Sequence, residues 1–391
     1  MNTFLKNLRD RTPLGWIQLR HDRTRFLVSI GGIAFADLII FMQLGILNGL
    51  FDSTIILHRK LIADIVLVSA QARQLTNLQT FPRRRLFQAE DVPGVANTEA
   101  LYTNYIDWKH PETRKKTSVL VVGINPDVPA FDMPEVNQQL DTLKLPDTVL
   151  FDRATRGDYQ QVIQQVKQGQ PVTTEIERRT IAIVGLFQAG ASFSIDGVLM
   201  TSDQNFLRLF PRQQSTAVSL GLVYLKPGEN PDRVVKALNA YLPADVRAMT
   251  RQEFIDFELS YINEQQPLGF VFGLGTALAM VVGVVIVYQI LSTDVNDHTA
   301  EYATFKAMGY RDTYLLTIVF EEAVILAAIG FVPGVVASLG LYVALRKVAA
   351  LPIYMPFLRL FGVFMLTLGM CCLSGGIATR RLRAADPADI F

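Results

Sequence analysis

The sequence predicts a membrane α-helical protein with four transmembrane helices in a 1 + 3 arrangement and a large α+β extracytoplasmic domain between the first and second spans. Three observations predict it. Apolar runs occupy residues 26–50, 268–291, 315–345 and 357–379, and each is long enough to cross a hydrocarbon layer of ~30 Å as a helix. A polar stretch, residues 51–266, separates the first run from the other three and is far too long for a connector. Within that stretch short β-branched runs alternate with helical patterns, as an α+β domain requires. Half of the 391 residues are hydrophobic and the formal net charge is +1. No global field therefore draws the chain to nucleic acid, and any electrostatic argument is local. The two cysteines, Cys371 and Cys372, are adjacent within an apolar run, which leaves the soluble part without a structural disulfide and makes redox chemistry unexpected.

Residues 1–25 read as a cytoplasmic amphipathic N-terminal segment. Lys6, Arg9, Arg11, Arg20, Arg23 and Arg25 outnumber Asp10 and Asp22 just before the first span, which puts this end inside by the positive-inside rule. Phe4, Leu5 and Leu8, then Trp16, Ile17 and Leu19 beyond Pro13, give short apolar faces suited to a membrane surface. A signal peptide fits poorly, because the following run is too long and lacks a small-residue cleavage pattern. Transmembrane helix 1, residues 26–50, carries Asp37 near its middle, on one face with Phe41, Leu44 and Asn48. A carboxyl at that depth costs ~3 kcal/mol on an insertion scale, so Asp37 is expected to make an intramembrane polar contact with other helices. A packing or gating contact and a protonated carboxyl that merely holds the bundle together are both open. A proton relay is disfavoured, since no other span carries a central acid or base.

In the domain at 51–266, strands are expected at 64–69, 118–124, 148–152, 180–187, 197–202 and 218–226. Helices are expected at Asp203 to Leu209, Pro231 to Tyr241 and Arg251 to Gln265, with Asn230 as N-cap before a first-turn proline. The Pro-rich stretch from Pro126 to Pro146 suggests two lobes that meet there. The domain shows no reactive constellation: His58 and His110 lack metal-spaced partners, and Ser192 and Ser194 lack the G-x-S-x-G frame. Arg83 to Arg85 read as an exposed basic run, either a solvated face or a contact for a headgroup or an acidic partner.

Transmembrane helix 2, residues 268–291, contains the pair Gly269 and Gly273, which permits close helix approach. Transmembrane helix 3, residues 315–345, is expected to kink at Pro333 and Gly334, with Glu321 and Glu322 near its cytoplasmic end. An outer turn at 346–356 leads to transmembrane helix 4, residues 357–379, and to a cytoplasmic tail at 380–391 that opens with Arg380, Arg381 and Arg383. Both termini are thus placed inside.

Between the second and third spans, residues 292–313 read as a cytoplasmic coupling loop and helix. Asp294, Asp297 and Glu301 come before Lys306, the charge order that complements a helix dipole, while Tyr302, Phe305 and Met308 recur at helical spacing. A helix this short gains little by folding alone in water. Its apolar face needs the bilayer surface or a groove on another protein, and the groove is preferred; a solvated connector with accidental periodicity is the bland alternative. Asp294, Asp297, His298 and Glu301 also share one helical face, where a divalent metal could bind, but the dipole and ordinary solvation explain the same residues without one. The chain has no G-x-x-x-x-G-K-[ST] loop, so it has no cofactor of its own and any ATP is bound by a separate subunit.

The layout, with EYATFKAMGY at 301–310 and RRLRAADPADIF at 380–391, resembles the FtsX-like permeases of the MacB class of ABC transporters. FADLIIFMQLG at 35–45, DTVLFDRATR at 147–156, VLMTSDQNFLRLF at 198–210, TRQEFIDFE at 250–258, VYQILSTDVNDH at 287–298 and the terminal DPADIF are similar, collinearly, to the DevC permeases of cyanobacterial exporters. The resemblance implies a non-enzymatic, multi-pass protein of the plasma (inner) membrane that pairs as a homodimer and binds two copies of a cytoplasmic ABC ATPase. It implies no central substrate pore. ATP-driven closure instead moves the helices and the periplasmic domains, which act on a periplasmic membrane-fusion adaptor and an outer-membrane TolC-like channel. Carried over to this chain, the coupling positions are Glu301, Tyr302, Phe305, Lys306, Met308 and Gly309, with Asp294, Asp297 and His298 leading into them. The implied cargo is envelope glycolipid or other lipidic material, with membrane lipids as neighbours. The alternative is an FtsX-like, non-transporting mechanotransmitter that regulates a cell-wall partner. A membrane-anchored enzyme is a third class, and it lacks a constellation to support it.

Overall fold

The computed structural model describes residues 23–384 except 76, 177, 193, 214, 266, 300, 302–303, 305–307, 310–311 and 350–351, and within its helices the side chains of 265, 312–315, 347, 349 and 380–384 are not described. The N-terminal segment before Arg23, the tail beyond Ala384, and the side chains of Arg380, Arg381 and Arg383 therefore lie outside the described residues. The chain divides into two compact units, one built of the long apolar helices and one of the residues between the first two of them.

Four helices among the described residues are long and apolar enough to cross a membrane. They are α1 (Arg23–Thr54), α9 (Leu268–Asp297), α10 (Asp312–Ala349) and α11 (Phe357–Ala384). One precedes the α+β unit and three follow it. Small residues set how closely these helices approach. A Cβ built on Gly330 would lie 2.9 Å from the Cβ of Ile33, and one on Gly334 would lie 2.9 Å from the Cβ of Asp37 and 3.2 Å from the carbonyl of Ala34. This Gly330 and Gly334 pair, spaced G-x-x-x-G, is where α10 meets α1. At Gly273, one of the pair expected from sequence, a Cβ would meet nothing within 4 Å among the described residues. At Pro333, where a kink is expected, the helix is not broken. The helix runs through the proline, and the Ser338 hydroxyl donates to the Gly334 carbonyl at 2.7 Å. Close packing on both sides of the turn supports a proline that would break a lone helix.

The intervening unit runs α2 (Ile56–Lys60), β1 (Ile65–Ser69), β2 (Phe81–Pro82), α3 (Arg84–Glu90), β3 (Val95–Lys109), β4 (Lys116–Ile124), α4 (Pro134–Asn137), a 3-10 turn (Leu140–Lys144), β5 (Thr148–Asp152) and α5 (Gln160–Lys167). It continues with β6 (Val172–Ile176), β7 (Arg179–Phe187), β8 (Gly197–Ser202), α6 (Asp203–Leu209), β9 (Ala217–Val218), β10 (Leu220–Leu225), α7 (Pro231–Tyr241), β11 (Val246–Thr250) and α8 (Arg251–Gln265). Nine strands form one mixed sheet in the order β11-β1-β10-β3-β4-β8-β5-β7-β6, and β2 pairs with β9 as a separate ribbon. The expected two lobes are thus one continuous sheet. Strand β3 joins its halves: Val95 to Leu101 pair with β10, and Tyr102 to Lys109 pair with β4.

Each face of the sheet has its own core. Tyr102, Trp108, Phe151 and Phe206 pack on one side, and Leu101, Leu120, Phe131 and Phe254 on the other. Because both faces are covered, β5 and β8 are buried at every position, which is why they read as unbroken apolar runs. Helix α6 is capped by Ser202, whose hydroxyl accepts from the Asn205 N–H at 3.2 Å, and α7 by Asn230, which accepts from the Asp232 N–H at 2.9 Å. Asp152 ends β5 fully buried and gathers the Ala154, Ala189 and Gly190 N–H groups. Burial pushes its carboxyl above the usual carboxylate range, and the three donors oppose that shift.

Candidate functional site

The segment expected to couple to a partner begins where α9 ends. Asp294 and Asp297 lie in the last turn of that 30-residue helix, so the reading of these two acids as a helix start is overturned. At a helix C-terminus they oppose the dipole. Their compensation comes from α1: Arg25 Nη2 is 2.8 Å from Asp297 Oδ2, and Arg25 Nη1 is 3.9 Å from Asp294 Oδ1. His298 closes the other side, with Nδ1 3.0 Å from the Asp294 carbonyl and 3.7 Å from its carboxylate. No group of three His, Cys, Asp or Glu among the described residues is placed to hold a metal.

Glu322 on α10 completes this cluster, and the sequence reading did not assign it to the site. It is fully buried, and its carboxyl interacts with that of Asp294, itself 6% exposed. Ionised carboxylates only accept, so this contact becomes a hydrogen bond when one of the pair carries a proton. Arg25 and Asp294 thus join the ends of α1 and α9, and Glu322, within α10, faces Asp294 at the same polar point near the root of the loop. The available signal was the charge at both flanks of the loop, but periodicity within the loop could not show which charges meet across helices.

Beyond that root, Glu301 is helical and exposed, and Met308 is 61% exposed. The Met308 N–H donates to the Thr304 carbonyl at 3.0 Å, and Gly309 follows at φ +91°, the left-handed backbone that ends a helix without a Cβ penalty. Tyr302, Phe305, Lys306 and Tyr310 lie outside the described residues.

Asp37 is fully buried among the helices. The Thr367 hydroxyl on α11 donates to its Oδ1 at 2.6 Å and also approaches the Val363 carbonyl at 2.9 Å, while Oδ2 has no partner among the described residues. Nearby, the Tyr342 hydroxyl donates to the Phe41 carbonyl, a second polar tie from α1 to α10. Because Thr367 retains Val363 as an acceptor but Asp37 has no substitute for Thr367, the two side chains are not equivalent. Thr367→Val is expected to destabilise the purified protein by ~1–3 kcal/mol by orphaning a buried acid. Asp37→Asn, which keeps a partner for the hydroxyl, is expected to stay near wild type, and Asp37→Leu to fall between. Thermal unfolding of the three variants in detergent checks this order, and a Thr367→Val protein as stable as Asp37→Asn contradicts it.

The other residues weighed in the α+β unit have structural roles. His110 Nε2 is 2.8 Å from the Asp158 carbonyl and its Nδ1 accepts from the Glu112 and Thr113 N–H groups, so it pins a turn. The Ser192 hydroxyl accepts from the Ser194 and Ile195 N–H groups, both at 3.2 Å. Arg85 is not part of an exposed basic run: it is 7% exposed and grips Asp245 through Nε at 3.0 Å and Nη2 at 2.8 Å. Arg85 sits one position into a helix whose inner face carries Leu86 and Ala89, so the helix turns it inward.

Residues 273–387 match the family described as FtsX-like permease C-terminal. That match takes in most of α9, the loop, α10 and α11. Among solved structures, the chain is similar to the periplasmic region of MacB from Actinobacillus actinomycetemcomitans, with 10% identity over 50% of this chain and 92% of that one at a TM-score of 0.31. It is also similar to the extracellular domain of the noncanonic ABC-type transporter YknZ from Gram-positive bacteria, with 13% identity over 48% of this chain and 100% of that one, again at a TM-score of 0.31. No curated protein matches the chain.

Proposed function

We propose that this chain is the permease subunit of a MacB-class ABC exporter of the DevC type, seated in the plasma membrane with both termini in the cytoplasm and residues 51–266 outside. It works as a homodimer. Each copy takes one cytoplasmic ATPase on Asp294 to Gly309, and ATP-driven closure of the two ATPases displaces the helices and the outer domains. Those domains act on a membrane-fusion adaptor and an outer channel to export lipidic cargo. The observation that carries the reading is the polar point made by Arg25, Asp294, Asp297, His298 and Glu322. A loop rooted to three helices at once moves them together when its far end is displaced, as a freely hinged connector does not.

The topology is tested by thiol labelling in a background carrying Cys371→Ala and Cys372→Ala. Lys115→Cys and Asn296→Cys, both at exposed positions, should react with an impermeant reagent from opposite sides of the membrane. Labelling of both from one side removes the proposed geometry.

A further inference from the structure

Two short routes join the sheet of the α+β unit to the apolar helices along the chain: α2, which follows α1, and α8, which precedes α9. They meet at a buried polar contact. His58 on α2 and Glu258 on α8 have side chains 0% and 4% exposed, and His58 Nε2 is 3.5 Å from Glu258 Oε2. The His58 ring also packs on Phe254, one turn earlier in α8, with centroids 4.6 Å apart. A second tie lies beside the first, since Arg251 Nη1 donates to the Leu61 carbonyl at 2.9 Å.

Glu258 has a third partner. The same Oε2 accepts the Leu75 N–H at 2.8 Å, so the acid also holds the segment between β1 and β2. That segment is folded on itself: the Asn77 N–H donates to the Gln74 carbonyl at 2.9 Å, and the Arg73 N–H to the Asn77 carbonyl at 3.2 Å. Three residues further on, Thr80 lines an open cleft of about 650 Å³ together with Asn104, Arg212 and Gln213. A cleft of this size falls in the range of ligand and peptide sites.

A buried carboxyl that loses its hydrogen-bond donor is costly, and the Leu75 N–H would be left unsatisfied in turn. The least costly response to a relative shift of α2 and α8 is for Glu258 to move with its donors, drawing Leu75 and the segment behind it. We infer that Glu258, with His58, is a positioning pair that converts displacement of the two connecting helices into movement of the Thr80 wall of the cleft. The inference rests on the proposed ATP-driven stroke, and it adds to that reading a named joint and a named place where the stroke emerges.

The test uses the full-length protein with its ATPase in lipid nanodiscs, in the Cys371→Ala, Cys372→Ala background, with Thr80→Cys as reporter. The alkylation rate of the reporter by a small maleimide is measured with and without ATP, and the ratio of the two rates is the readout. With the pair intact the ratio departs from unity. In Glu258→Ala it returns to unity while the ATPase still co-purifies. Glu258→Gln, which keeps an acceptor for Leu75 but replaces the carboxyl facing His58, gives an intermediate ratio, as does His58→Gln. Where Glu258→Ala does not assemble, the two glutamine variants decide. A wild-type ratio in the alanine variant, or in both glutamine variants, overturns the inference alone. A ratio of unity in the intact protein overturns it together with the functional reading on which it rests.

Discussion

Gly334→Val is expected to abolish assembly of the helical unit, whereas Gly340→Val, less than two turns away on the same helix, is expected to leave it intact. A Cβ at Gly334 lands 2.9 Å from the Asp37 Cβ and 3.2 Å from the Ala34 carbonyl, and both neighbours belong to the body of α1 rather than to a flexible side-chain end. Valine adds two methyl groups beyond that Cβ, so α1 and α10 must separate. Overpacking of this kind ordinarily costs ~1–3 kcal/mol. Here the separation also disturbs the packing around Asp37, whose partner Thr367 is on a third helix, so the cost should reach or pass the upper end of that range. At Gly340 nothing among the described residues lies within 4 Å of the added Cβ. Yield of monodisperse protein after detergent extraction, followed by thermal unfolding, checks the pair. Equal behaviour of the two variants contradicts the close approach of α1 and α10.

Much of this architecture was legible in the sequence, for identifiable physical reasons. A membrane span announces itself by length and apolarity, because the bilayer imposes both. Strands β1, β4, β5, β7 and β8 were legible because each is a concentrated apolar run. Strand β3 was not, although it is the longest and joins the sheet halves. Its sequence, VANTEALYTNYIDWK, mixes polar residues into an irregular burial pattern, so neither a period of two nor an apolar run stands out. Strand β6 was missed for the opposite reason: VTTEI does alternate, but five residues with two threonines and a glutamate carry little weight.

Asp37 was recognisable from its solvation cost, yet nothing local identified Thr367, 330 residues away. The Asp294 and Glu322 contact and the His58 and Glu258 pair were hidden in the same way. Each half reads as an ordinary charge in its own segment, and only the fold supplies the other half. The same limit explains the misread acids. Asp294 and Asp297 follow an apolar run, so they read as the start of a new helix, whereas the span helix continues through them and Arg25 supplies the missing positive charge.

The loop beyond that root carries the second large expected effect. Phe305→Ala is expected to release the ATPase from the membrane fraction, and Lys306→Glu to weaken the same contact in a salt-dependent way. Tyr302, Phe305 and Met308 recur at three-residue intervals, Met308 is 61% exposed, and the glycine after it is in the left-handed conformation that ends a helix. The spacing predicts an apolar stripe on a short helix, and such a stripe is stabilised only when something covers it. Truncating the aromatic anchor of such a contact costs on the order of 2 kcal/mol or more, roughly a thirtyfold loss of affinity. The spacing predicts Lys306 near the end of the same helix, where a cation is favoured by the dipole and an anion is not; because that effect is electrostatic and near the surface, raising salt should attenuate it. Neither substitution changes Arg25, Asp294 or Glu322, so the helical unit should still assemble and the purified permease should keep its thermal stability. Co-sedimentation of the ATPase with membranes, measured at two salt concentrations, checks both variants. Wild-type recruitment by a protein carrying both changes would falsify the coupling role proposed for this loop.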